Sequence, residues 1–350
     1  MKYITYLILL SISVNSFAQN SVKQLSLQLT QSAPNDSLKV AAIFEWITGS
    51  IQYDLETFQQ RLPTLDLGNS QSSAVVLNTR KAICGGYSNL FYDLCKYAGI
   101  KTQVIEGLGK IRNSSNPSDS TFRIESHAWN AVKLNEKWYL LDLTWSSGAM
   151  INNTYQQRRS WEFYMISPAV FLLTHYPSDP VWQLQKRIIS YEEFVKGSPF
   201  LKTKRFDYER ILAQYESLDS TTQVLETQER IIAHDPKNDN AHNMLGYFYA
   251  TRSTKTLEEY TVISRLIRDN KNPKEQQALA LQYKNKMFEL LHKAEMELNK
   301  SLDYYNHIGP LAQIKGVLDN KNAIYNNLEA IRKDKEMMNR YFAILGRNKR

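Results

Sequence analysis

Apolar residues recur at spacings of three and four in three stretches near the front of the chain, and each stretch reads as a helix. Residues 20–33 form a polar amphipathic run that stops before Pro34. Asp36-Ser37 can cap a second helix through about Thr48, with Val40, Ile43, Phe44 and Ile47 on one face. Tyr87, Leu90, Phe91, Leu94, Cys95 and Ala98 predict a third over Cys84 to Ala98, with Gly99 as its stop. Residues 54–80 keep no clean period and read as loop-rich. Thr102 to Glu106 alternates like a strand and ends at Gly107. Beyond a polar, proline-containing loop at 113–120, two further runs, 123–134 and 137–145, read as strands joined by a tight turn at Asn135-Glu136. A two-residue turn pairs Leu134 with Lys137 and sets His127 opposite Thr144. Asp142 then lies two residues back on the same face.

The pattern changes twice more. Residues 155–200 are aromatic and irregular, punctuated by Pro168, Pro177, Pro180 and Pro199. From about residue 203, glycine and proline thin out, and Lys, Glu, Gln, Leu and Tyr dominate. Residues 205–345 read as four to six helices. Within them Asp235-Pro236-Lys237-Asn238, followed by Ala241-His242-Asn243-Met244-Leu245-Gly246-Tyr247, resembles the junction between two tetratricopeptide repeats, without a sustained period. The expected division is a leader at 1–18, an α+β domain at 19–200 and an α-helical, tetratricopeptide-like or general bundle domain at 201–350.

With 350 residues, 43% hydrophobic and 22% charged, the chain can build two ordinary domains and is not a disordered polymer. A formal charge of +8 permits attraction to anionic envelope polymers or lipid headgroups. The basic residues are scattered, so nucleic acid is not an expected partner. Lys2, the apolar run Ile4 to Val14 and Ser16-Phe17-Ala18 fit a secretory leader with Gln19 as the mature start, which predicts a secreted or periplasmic protein. The run is short of the roughly 20 apolar residues of a spanning helix. The two cysteines, Cys84 and Cys95, would lie about 16 Å apart on one helix at about 1.5 Å per residue. A disulfide needs Cα atoms within about 7 Å, so they should not pair.

Cys84 and His127 sit where chemistry is expected. Cys84 enters a helix from Ala82-Ile83-Cys84-Gly85-Gly86-Tyr87, and His127 opens a strand, with Asp142 on its face. A converging thiol, imidazole and carboxylate perform acyl transfer. Alone, either Cys84 or His127 would read as a core residue; together they do not. The other histidines, His175, His234, His242, His292 and His307, show no ligand spacing with cysteine or acid partners, so no metal site is predicted. No phosphate-cradling glycine motif is present, and no cofactor is expected. Trp129, Trp138, Tyr139 and Trp145 read first as packing, with Trp129 on the His127 face able to wall a cleft.

These motifs carry a family resemblance. Residues from about 40 to 195 resemble the transglutaminase-like superfamily, and most closely its kyphoscoliosis-peptidase-like branch. The matching segments are Cys84-Gly85-Gly86-Tyr87, Ala98-Gly99-Ile100, Val104-Ile105-Glu106-Gly107, His127-Ala128-Trp129-Asn130-Ala131-Val132 and Trp138 through Trp145. The resemblance implies a papain-like α+β core of helices and antiparallel sheet, with Cys84 as nucleophile, His127 as base and Asp142 as orienting carboxylate. The helix N-terminus and His127 should lower the Cys84 pKa. Gly85 and Gly86 would leave room for a substrate backbone, and the Cys84 N–H would be one oxyanion donor. An upstream glutamine or tryptophan is a candidate for the second. The expected function is an exported cysteine peptidase or amidase acting through a thioester on protein or envelope peptide. A silent peptide-binding scaffold and a protein crosslinker stand as alternatives. The helical region, outside the resemblance, is expected to bind a protein partner.

Overall fold

The structure, a computed structural model, describes residues 20–60, 68–112, 121–151, 154–197 and 205–347. The leader and the 113–120 loop lie outside the described residues. The first helix runs over 20–30. The second, Asp36–Ser50, is capped one residue earlier than expected: Asn35 Oδ1 accepts from the Leu38 N–H at 3.0 Å, and Asp36 sits in the first turn, where the helix dipole favours it. Of the segment read as loop-rich, Leu55–Gln60 and Ser73–Thr79 are short helices. Gln52–Tyr53 pairs parallel with Lys81–Ala82, which delivers the chain to the Cys84–Tyr97 helix.

Five antiparallel strands follow: β1 (Thr102–Arg112), β2 (Phe122–Leu134), β3 (Lys137–Leu141), β4 (Tyr164–Ile166) and β5 (His175–Pro177), in the spatial order β4-β3-β2-β1-β5. Fold class and hairpin register follow the sequence expectation, with Leu134 paired to Lys137. The turn puts Asn135 and Glu136 at φ 47° and 61°, the left-handed pair a tight right-twisted hairpin requires.

Two strand ends differ from expectation. β1 does not stop at Gly107 but continues to Arg112, pairing Gly107 with His127 and with Pro177. Here glycine marks a close approach rather than a strand end: a Cβ at 107 would come within 2.2 Å of the Tyr176 carbonyl oxygen and 2.7 Å of the Trp129 ring. β3 ends at Leu141, not 145, because Asp142 caps the helical turn Leu143–Ser147, its Oδ1 accepting from Thr144 N–H at 2.8 Å and Trp145 N–H at 3.1 Å. Thr144 therefore does not face His127 across a ladder.

Alternation divides the core between the two faces of the sheet. Val132, Leu134 and Leu141 pack with Val40, Phe44, Tyr87 and Leu94 of the helices. Trp129, Ala131 and Leu140 pack on the other face with Phe171, Trp182 and Leu212. Leu212 belongs to the helix Tyr208–Ser217, so the first unit reaches Ser217, beyond the boundary drawn at residue 200.

The second unit, from Leu218, holds the long helices Ser220–His234, Asp239–Arg268, Pro273–Asn306 and Lys315–Arg347. The last three span 30, 34 and 33 residues, whereas a tetratricopeptide repeat fits two helices into about 34. The fold here is an extended hairpin bundle. Gly246 lets two helices close: a Cβ there would lie 2.8 Å from the Tyr305 ring, and Ser301 Oγ donates to the Gly246 carbonyl at 2.6 Å. No helix among the described residues is long and apolar enough to cross a membrane.

Candidate active site

Cys84 is the first residue of its helix and is 7% exposed. Ile83 ahead of it is held by Gln71, whose Oε1 accepts the Ile83 N–H at 3.0 Å. Asn130 fixes the helix to the sheet, its Nδ2 donating to the Ser88 and Gln103 carbonyls, each at 3.1 Å. Helix and β2 are thereby tied one turn beyond Cys84 and three residues beyond His127. Tyr87 adds a second anchor, its hydroxyl donating to the Ile51 carbonyl at 2.7 Å.

His127 lies beyond the end of the β2–β3 pairing, which stops at Asn130 and Leu141. Its Nε2 is 2.8 Å from Asp142 Oδ2, and the Cys84 thiol is a further hydrogen-bond partner of the ring. The three predicted residues thus meet. Parity survives even where the strand does not: Leu141 faces the helices, so Asp142 projects to the His127 face. Burial alone would strip the proton from His127, but the Asp142 carboxylate and the thiol outweigh it and raise the imidazole to about 10. Burial would likewise protonate Asp142. The His127 charge and hydrogen bonds from both His127 and His175 instead hold it well below the usual carboxylate range. An ionised carboxylate only accepts, so Nε2 of His127 carries its proton toward Asp142 and Nδ1 is the nitrogen left for the thiol.

The expected cleft residues separate. Gly85 has nothing within 4 Å of a built Cβ, so this position is open. Gly86 is buried, and a Cβ there would meet Gln71 Oε1 at 2.5 Å and Val76 at 2.9 Å; it is glycine for helix packing, not for substrate approach. Trp129 is 1% exposed and backs the site within the core instead of walling a cleft. Trp145 takes the half-exposed position, stacked on His127 with centroids 5.0 Å apart.

Sequence reading missed His175. Its Nε2 lies 3.1 Å from the same Asp142 Oδ2, and Thr174 Oγ1 is 2.9 Å from its Nδ1. The donor atoms of His127, Asp142 and His175 fall within 4.8 Å of one another, a spacing that could also serve a metal ion. Here both imidazole N–H groups are directed at the carboxylate, and those hydrogen bonds account for the spacing. The signal in the sequence was Gly107-Leu108-Gly109. Paired His127–Gly107 and Gly109–His175, these glycines leave one face of β1 bare between the two histidines.

Comparison with known proteins agrees with this architecture. Residues 23–143 match the model of the transglutaminase-like superfamily. Kyphoscoliosis peptidase of Mus musculus is 33% identical over 50% of this chain and 26% of its own length, and that of Homo sapiens is 33% identical over 51% and 26%. Hillarin of Drosophila melanogaster is 26% identical over 57% of this chain and 25% of its own. The chain spans about a quarter of the length of these relatives.

Proposed function

We propose, from the match of residues 23–143 to the transglutaminase-like superfamily, that the protein is a cysteine acyl-transfer enzyme, a peptidase or amidase, with Cys84, His127 and Asp142 as its triad. The observation that carries this reading is one imidazole held between a thiol and a buried carboxylate. In this reading the Cys84 thiolate attacks an amide or ester carbonyl carbon. The oxyanion is met by the Cys84 N–H at the helix start, and Gln71, beside Ile83 and Gly86, is the candidate for a second donor. His127 Nδ1–H passes its proton to the leaving amine as the C–N bond breaks, leaving a thioester on Cys84. Water then gives up a proton to His127, attacks the thioester and releases the acid, restoring the thiolate–imidazolium pair. Asp142 holds the ring orientation throughout.

The substrate in this proposal is protein or envelope peptide reached outside the cytoplasm, and the helical unit recruits a protein partner. Sequencing the mature N-terminus tests export; Gln19 is the expected first residue. Alkylation of Cys84 across pH, in a Cys95→Ala background with and without His127→Ala, tests the pair. Rapid alkylation well below the pH at which an ordinary thiol ionises, lost with His127, supports the enzyme. Ordinary titration in both proteins sinks it and leaves a peptide-binding scaffold. Mass spectrometry of an activated-ester reaction then separates fates: an acyl adduct on Cys84 that decays in water means hydrolysis, and one that decays only with added amine means crosslinking.

A further inference from the structure

We propose that His175 is a positioning residue that competes with His127 for Asp142, and so sets how readily His127 releases its proton. This rests on the triad reading above. Nothing about packing alone asks for histidine at 175. The side chain is fully buried, stacked on Phe171 at 3.9 Å between ring centroids and flanked by Trp145 at 4.4 Å and Phe163 at 5.4 Å. A phenyl ring would suit such a box, whereas a buried imidazole costs free energy unless both nitrogens are paired. Both are. Asp142 is ionised and can only accept, so His175 Nε2–H donates to Oδ2. Burial holds His175 at about 4, hence neutral, and its Nδ1 accepts from the Thr174 hydroxyl.

The consequence lies at one oxygen atom. Asp142 Oδ1 is committed to the N–H groups of Thr144 and Trp145, and Oδ2 serves both imidazoles. Each N–H drawn to Oδ2 withdraws charge from the other. A carboxylate given to His127 alone would grip the imidazolium harder, and a general acid that grips too hard passes its proton poorly. His175 moderates that grip. Thr174 Oγ1 lies 2.9 Å from Nδ1 and 3.4 Å from the Phe171 carbonyl, and its proton given to Nδ1, the closer acceptor, makes Nε2–H a better donor in turn. The bare face of β1 at Gly107 and Gly109 lets two strands that are not neighbours deliver their imidazoles to one carboxylate. The titratable groups facing His175 among the described residues are Asp142 and His127; Thr174 and the surrounding rings carry no charge.

The test is the titration of His127 by NMR of the full chain labelled with ¹⁵N-histidine, read alongside Cys84 alkylation. His175→Phe keeps the ring and removes the donor. It should raise the His127 midpoint by about half to one pH unit. His175→Gln restores a donor at similar reach and should hold the midpoint within a few tenths of a unit. Thr174→Val should move it in the same direction by less. An unchanged midpoint in His175→Phe, or equal shifts in the Phe and Gln variants, overturns the proposal and leaves His175 a packing residue. Ordinary titration of Cys84 in the wild type would sink the triad reading instead, while the His127 midpoint still decides the role of His175.

Discussion

The first and last turns of the Cys84–Tyr97 helix hold the protein's two cysteines in opposite conditions. Cys84 stands at the N-terminus, where backbone N–H groups favour an anion, and its thiol meets a charged imidazole. Cys95 is fully buried near the C-terminus, and burial pushes its thiol up to about 12 against a small opposing hydrogen bond from Thr102. Residue type and helix are shared, so any difference in reactivity between the two thiols isolates environment as its cause.

The largest effect should be the gap itself. At pH 7 iodoacetamide should modify Cys84 at least about a thousandfold faster than Cys95, given how small the thiolate fraction of a thiol near 12 is. Comparable rates in the native protein would break the comparison. Next, His127→Ala should slow Cys84 about 30-fold at pH 7, the gap between full ionisation and an ordinary thiol, and leave Cys95 unaffected. A stopped-flow alkylation assay reads both.

The charged cluster near Cys84 should also shape stability between about pH 4 and 9, below the alkaline range in which Cys95, raised to about 12, is linked to folding. His127 is raised, so its contribution is complete below about 6.5 and is lost as pH climbs toward about 10. Asp142 is lowered, so its contribution is complete above its ordinary value and fades in stronger acid. His175 is lowered to about 4, so stability declines as pH falls from about 6.5 through 4. Urea midpoints should therefore peak near pH 6.5, and a flat profile from pH 4 to 9 would contradict the linked charges. The smallest effect is expected at the inert end: Cys95→Ala should cost about 1 kcal/mol in urea melts and leave Cys84 kinetics untouched.

Sequence alone carried the three periodic helices at the front of the first unit, the hairpin register and the facing of His127 and Asp142, because each follows from local periodicity or strand parity; the place of Cys84 beside them came with the family resemblance. It missed what depends on packing between distant segments. Gly107 looked like a strand end because its reason, the Tyr176 carbonyl, lies far along the chain. His175 looked idle because its acidic partner is on another strand's end, with no fixed spacing in sequence. Trp129 and Trp145 exchanged roles because Asp142 is a helix cap, which turns the chain at the point where alternation predicted more strand.

Asp142 is at once the cap of a five-residue helical turn and the anchor of two imidazoles. In the triad reading, the reactive centre is therefore wired to the integrity of its own scaffold. Fraying of Leu143–Ser147 would release the carboxylate, free both rings and silence the thiol. A chain in which that short turn had not closed would carry the thiol without its fixed imidazole.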